Sequence, residues 1–176
     1  GKAAHASTPN GGNNAITAML ELLSMLPLPE GSEKETIVSL HRLFPHGDHH
    51  GQALGIAMED DVAGKTTVTL SLLRMDNQGF EAQFDARLSL AATEENTKQA
   101  VYTQFSTLGW DCHGTFHPAH VVDGDSDFIR TLVSCYETFS GNVGYCESMG
   151  GSTYVHNVPG GVAFGAGEHG FDSHLH

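Results

Sequence analysis

Basic residues are scarce in this chain: 8 Lys and Arg stand against 21 Asp and Glu, for a formal net charge of −13. No basic cluster occurs anywhere along it. Nucleic acid and anionic membrane surfaces are held through phosphate contacts from clustered Lys and Arg, so both partner classes are excluded. Cysteine is sparse as well. Cys112, Cys135 and Cys146 are odd in number and form no C-x-x-C pair, which argues against a disulfide framework and points to a reducing cytoplasm. No apolar run approaches the roughly 18 residues of a membrane-spanning helix, and the start of the chain is not signal-like. Internal repeats and low-complexity tracts are missing too. Apolar residues make up only 39% of 176, enough for one good core or two small ones. Two residue types are abundant instead. Glycine, at 21, forecasts loop-rich connections, and 12 histidines, several near acidic residues, keep metal binding open.

The chain opens on small residues carrying one histidine, His5, in what reads as a short strand. A Ser-Thr-Pro-Asn-Gly-Gly turn follows, and then a helix over 15–25 with Asn13 or Asn14 as its cap. Ile16, Met19, Leu20, Leu22, Leu23 and Leu26 recur at helical spacing, and Pro27 and Pro29 end the run. Residues 35–44 repeat the pattern more briefly. A polar loop over 45–51 carries His46, His49 and His50; it reads as a solvated loop or, less readily, as a metal site. Residues 65–75 and 80–90 alternate about a turn at 76–79 and predict an antiparallel hairpin. Thr93 caps a helix expected over 94–108, whose first turn carries Glu94 and Glu95. Residues 110–116 then read as a closing strand. Strand, helix, hairpin, helix and strand in that order predict an α+β fold, a ferredoxin-like antiparallel sheet with helices on one face.

Beyond residue 118 the character changes. A polar acidic linker over 123–127 leads into an amphipathic helix over 128–139, with Ile129, Leu132, Val133 and Tyr136 on one face. Residues 161–165, Gly-Val-Ala-Phe-Gly, read as a short buried strand. One helix and at most two strands are too little for an independent core. The expectation is a segment of a larger domain, and a chain that begins with Gly inside patterned sequence reads as a fragment.

Three places carry chemistry. His5 is either an ordinary imidazole or a functional one. Arg87, one of four arginines, is either paired on the surface with Asp85 or a glutamate, or a bidentate grip for a substrate carboxylate. In the tail, His174 and His176 are two apart, so on a strand both would face one way beside Glu168, His169 and Asp172. Such a pair is a common metal-ligand spacing and, alone, a weak one.

Taken together, GKAAHASTPNGGNNAI, LGIAMEDDVAGKTTVTL, FDARL, GGSTYVHN, GVAFG and the final HLH resemble the dinuclear zinc peptidases of the family holding peptidase V, carnosinase, succinyl-diaminopimelate desuccinylase and acetylornithine deacetylase. The likeness covers essentially the whole chain in order and is greatest to the peptidase V-type dipeptidases. It implies that residues 1–117 are most of a lid (dimerisation-type) domain and that 118–176 are a partial α/β catalytic-domain segment, its C-terminal part. It implies that His5 stabilises the oxyanion and that Arg87 binds the substrate carboxylate. Gly151 and Ser152, with Gly150 and Thr153, would line the substrate, and His176, rather than His174, would be a zinc ligand. The implied reaction is amide hydrolysis of a dipeptide or N-acyl amino acid with two zinc ions, in an enzyme that can form a homodimer. His156 replaces the arginine of many relatives and Thr69 their asparagine, which leaves the substrate subgroup open. The family's catalytic glutamate and remaining metal ligands precede the lid and are not among these residues. Two other readings follow from that: a non-catalytic dimerisation or peptide-binding lid, and a small His-rich metal-binding module.

Overall fold

The computed structural model describes residues 1–148 and 154–165. The chain falls into two compact units, Gly1–Ala119 and His120–His176.

In the first unit, helix α1 spans Ala15–Ser24. Asn14 caps it, its side-chain oxygen accepting from the amides of Ile16 at 2.9 Å and Thr17 at 3.3 Å. Helix α2, Ser32–Leu43, carries Glu33 and Glu35 in its first turn and His41 and Arg42 in its last, the order its dipole favours. Ile37, Leu40 and Leu43 form its buried face.

The histidine-bearing loop that follows is less solvated than the sequence predicts. One Asp48 carboxylate oxygen accepts from the amides of His50, Gly51 and Gln52, and the other accepts from Ala53 at 2.8 Å. That clamp turns the chain so that Leu54 and Ile56 enter the core, 0% and 2% exposed. Gly51 is required at the turn. Its φ is +73°, and a Cβ there would lie 2.8 Å from Val68 Cγ2 and 2.9 Å from Ile56 Cγ1. The imidazoles serve structure: His50 Nδ1 donates to Thr66 O at 2.8 Å, and His46 Nδ1 lies 2.9 Å from the Thr17 hydroxyl.

A two-residue ladder, β1 (Glu59–Asp60) with β2 (Gly64–Lys65), precedes the main hairpin, β3 (Thr67–Asp76) with β4 (Gly79–Arg87). The hairpin closes through Asn77 and Gln78, with Asp76 opposite Gly79 and a register shift between Leu70 and Leu72. Val68, Leu70, Phe84 and Ala86 turn one face of it to a core shared with Leu20, Leu40, Leu43, Phe44 and Phe105. Phe84 meets the rings of Phe44 and Phe105 at 5.4 and 6.1 Å.

The expected third helix is a π-helical turn, Glu95–Gln99, running into α3, Ala100–Thr107. Thr93 does cap it: the Asn96 amide donates to the Thr93 hydroxyl at 3.1 Å, and the Thr93 amide donates to the Asn96 side chain at 2.7 Å.

The α+β class stands, with antiparallel strands and helices against one face. Two expected strands do not form. Residues 1–7 contribute a single bridge, Lys2 with Asn13. Residues 110–116 form no strand, because their anchoring bonds go to α3: the Trp110 amide donates to Phe105 O at 3.0 Å and Tyr102 OH to Gly114 O at 3.2 Å. Trp110 still stacks edge-on against Phe80, at 4.9 Å.

In the second unit, α4 spans Asp127–Ser140 between Ser126, whose hydroxyl accepts from the Ile129 amide, and Gly141 at φ 73°. Ile129 is its buried residue. The buried strand expected over 161–165 is not formed, and Phe164 is 52% exposed. An apolar run becomes a buried strand only beside strands that accept its ladder bonds, and the described residues of this unit contain none.

Candidate functional site

His5 lies in a loop closed at its base by two bonds, the Lys2 amide to Asn13 O at 2.9 Å and the Asn13 amide to Lys2 O at 2.8 Å. Gly12 lets the two arms touch, since a Cβ there would come within 2.7 Å of Ala4 Cβ and 2.8 Å of Lys2 O. At the tip, the Thr8 amide donates to His5 O at 2.9 Å, and a short 3-10 turn, Pro9–Gly11, completes the return. The His5 ring is exposed, with Nδ1 2.7 Å from the Ser7 hydroxyl and 3.3 Å from the Ser7 amide.

Arg87 ends β4, and its register partner is Thr67. The Thr67 hydroxyl donates to Ala6 O at 3.1 Å. That bond ties the His5 loop to the strand position facing Arg87, so residues far apart in sequence meet at one end of the hairpin. Directly opposed residues share a face of an antiparallel pair, which puts Thr67, Thr69, Asp85 and Arg87 on the face away from the core. Arg87 Nε lies 2.7 Å from Asp85 Oδ1, both side chains about a third exposed or more. The two form a charge contact without an aligned hydrogen bond, for among the described residues neither of these buried atoms has a hydrogen-bond partner. The guanidinium is therefore held by charge, and among the described residues no bidentate partner takes up its fork.

The strand end is itself fixed. Asp60 accepts from the amides of Val62, Ala63 and Leu90, the last at 2.6 Å, just beyond Arg87. These amides, Ala63 first, hold its carboxyl below the ordinary 3.8. A hollow of about 450 Å³ is lined by Lys2, Ala4, Asn14, His49, Thr69 and Ser71, and its lining includes neither His5 nor Arg87. A second, about 520 Å³, lies by Tyr102, Trp110 and Cys112. It pairs no acid with a base, and burial pushes the Cys112 thiol up, away from nucleophilic reactivity.

Gly151, Ser152, His174 and His176 lie outside the described residues. Among the described residues no group of three or more His, Cys, Asp or Glu could hold a metal ion, so those residues do not by themselves fit a zinc site. The His156 ring packs at a tilt against His120, with centroids 5.8 Å apart, and His120 Nε2 donates to Gly161 O at 2.6 Å. Sequence reasoning missed Thr67 and Ser7. Thr67 carried no signal, since its role depends on register, whereas a serine two residues after a histidine is a local hydrogen-bond pattern that can be read directly.

The sequence model of the family M20_dimer, described as "Peptidase dimerisation domain", matches residues 1–109. A Staphylococcus haemolyticus protein named "Putative dipeptidase SH1171" is 30% identical over 168 residues, covering 94% of this chain and 35% of its own length. A Staphylococcus saprophyticus protein named "Putative dipeptidase SSP1012" has the same identity and coverage, and a similarly named Staphylococcus epidermidis protein is 27% identical. The chain thus spans about a third of the length of these relatives. No helix of the described residues is long and apolar enough to cross a membrane. With a match over most of its length, this chain belongs to the peptidase dimerisation domain family, M20_dimer.

Proposed function

We propose that this chain is part of a metallopeptidase that hydrolyses the amide bond of dipeptides or N-acyl amino acids, with 1–117 as its lid and 118–176 as the C-terminal part of its catalytic domain. The observation that carries the reading is the Thr67–Ala6 bond, which brings the His5 loop and the Arg87 strand end together. In hydrolysis a water oxygen adds to the scissile carbonyl, the carbonyl oxygen gains negative charge, and the C–N bond then breaks with a proton passing to the leaving amine. His5 donates to that oxygen as its charge develops, where a hydrogen bond is strongest. Arg87 holds the substrate's C-terminal carboxylate, which fixes the scissile bond relative to His5. Asp85 keeps the guanidinium in place until the substrate carboxylate takes up the fork.

Zinc, as two ions, belongs to the proposed enzyme through its family resemblance, which also supports His176 as a ligand and Gly151 and Ser152 as substrate contacts. Zinc would polarise the carbonyl and activate the water; the chain's own part in the reaction falls to His5 and Arg87. A cytoplasmic setting is proposed from the free thiols of Cys112, Cys135 and Cys146. The family's description favours a second role, a homodimer contact made by the lid. In the full-length enzyme, His5→Ala is expected to lower kcat by about 10²–10³ with little change in KM, the cost of one lost oxyanion donor. An unchanged kcat would return His5 to an ordinary surface imidazole.

A further inference from the structure

We propose that Ser7 is the positioning residue that decides which ring nitrogen of His5 carries the proton, an inference that rests on the oxyanion role proposed for His5. The Ser7 amide lies 3.3 Å from Nδ1, and a backbone N–H can only donate. Nδ1 therefore presents a lone pair to it. The Ser7 hydroxyl, 2.7 Å from the same nitrogen, must then be a second donor. Two donors from one residue converge on Nδ1, so the neutral ring keeps its proton on Nε2.

The tautomer matters because only a nitrogen bearing hydrogen can donate to an oxyanion. With the proton on Nδ1, the Nε2 lone pair would face a developing negative charge and oppose the reaction. The geometry that brings Ser7 back onto the ring is built into the loop. The Thr8 amide bonds to His5 O at 2.9 Å, closing the turn that contains Ser7, and the Lys2–Asn13 bridge closes the base. Ser7 thus acts through His5 and touches no reacting atom.

The test is long-range ¹H–¹⁵N correlation spectroscopy on the full-length enzyme with ¹⁵N-labelled histidine, above the imidazole titration. The expected wild-type spectrum shows Nδ1 of His5 as the nitrogen without hydrogen. Ser7→Ala removes the hydroxyl and keeps the amide, and should raise the share of the Nδ1–H tautomer about fivefold, the ratio set by one net hydrogen bond. Ser7→Thr, which retains a hydroxyl, should restore the wild-type spectrum. Turnover should follow the share of the Nε2–H tautomer, so kcat in Ser7→Ala should fall in proportion to the measured loss of that share, by less than about threefold, with KM unchanged and no further loss when His5→Ala is already present. A wild-type ring protonated on Nδ1, or identical tautomer populations in wild type and Ser7→Ala, would overturn the proposal. A kcat that did not fall in proportion to the measured loss of the Nε2–H share would uphold the positioning by Ser7 and remove the oxyanion role instead.

Discussion

Asn14 does two jobs with one amide, and substitutions can separate them. Its oxygen caps α1 through the Ile16 and Thr17 amides, and its nitrogen donates to Leu70 O at 2.8 Å, 56 residues away. An N-cap of this kind contributes about 1 kcal/mol. The partly buried bond to Leu70 contributes about another 1 kcal/mol, and more where the stranded carbonyl stays desolvated. Asn14→Ala should therefore cost about 2–3 kcal/mol, the sum of the two. Asn14→Ser keeps an acceptor for the cap and loses only the strand tie, so it should cost about 1 kcal/mol. Asn14→Asp caps well and gains from the helix dipole, but it turns a second oxygen toward Leu70 O and should fall between wild type and Ala. Urea unfolding followed by helical circular dichroism gives all three values from midpoints at constant slope. Equal destabilisation by Ser and Ala would mean that the cap carries no weight, and an Asp variant as stable as wild type would mean that the Leu70 bond carries none; either result would refute the division into two jobs.

Arg87→Lys in the full-length enzyme should lower kcat/KM at least tenfold, because an ammonium cannot replace the bidentate fork; equal wild-type turnover of free-acid and C-terminally amidated dipeptides would remove that role. Asp60 should give an acid-sensitive contribution. Its folded value is depressed below 3.8 by the Ala63, Leu90 and Val62 amides, so the stabilisation is present above 3.8 and is lost as pH falls through the folded value. Asp60→Asn should be less stable than wild type at pH 6, with the gap closing in acid, and denaturant midpoints across that range check it. Thr67→Val keeps the shape and loses the bond to Ala6 O. It should cost about 1 kcal/mol or less while speeding amide exchange across residues 2–13, and unchanged exchange would mean the loop is held elsewhere.

The local features were the legible ones. Asn14 before an apolar period, Pro27 after it, and the alternation on either side of 76–79 each signal their element through interactions a few residues long. The failures share a cause. Residues 110–116 and 161–165 have strand-like composition, yet a strand exists only where a neighbour accepts its ladder, and no local pattern reports that. The loop after α2 looked solvated because its polar residues are conspicuous. Its burial depends on one carboxylate gathering four amides, which then carries Leu54 and Ile56 inward. His5 and Arg87 were reached through resemblance, while the tie between the His5 loop and the strand position opposite Arg87 is a consequence of register.

That register has a source in the sequence. In β4 the core-facing residues are Phe80, Ala82, Phe84 and Ala86, all in one phase. In β3 the phase breaks: Val68 and Leu70 face the core on one side of Ser71, and Leu73 and Met75 on the other. A strand with strict alternation cannot bury both sets, because a shift of one residue reverses every side chain. The extra residue is absorbed at Ser71, which has no partner in a ladder that passes from Leu70 opposite Phe84 to Leu72 opposite Gln83. The same irregularity sets which residue Arg87 opposes. Were the pairing continued from the turn without it, every partner beyond Ser71 would move by one, and Arg87 would no longer oppose Thr67. The hydroxyl that holds the His5 loop would then sit against a core-facing position instead of the guanidinium. A single unpaired serine in the strand thus lets one hairpin bury its apolar residues along its whole length and still place Thr67, whose hydroxyl ties the His5 loop, opposite Arg87.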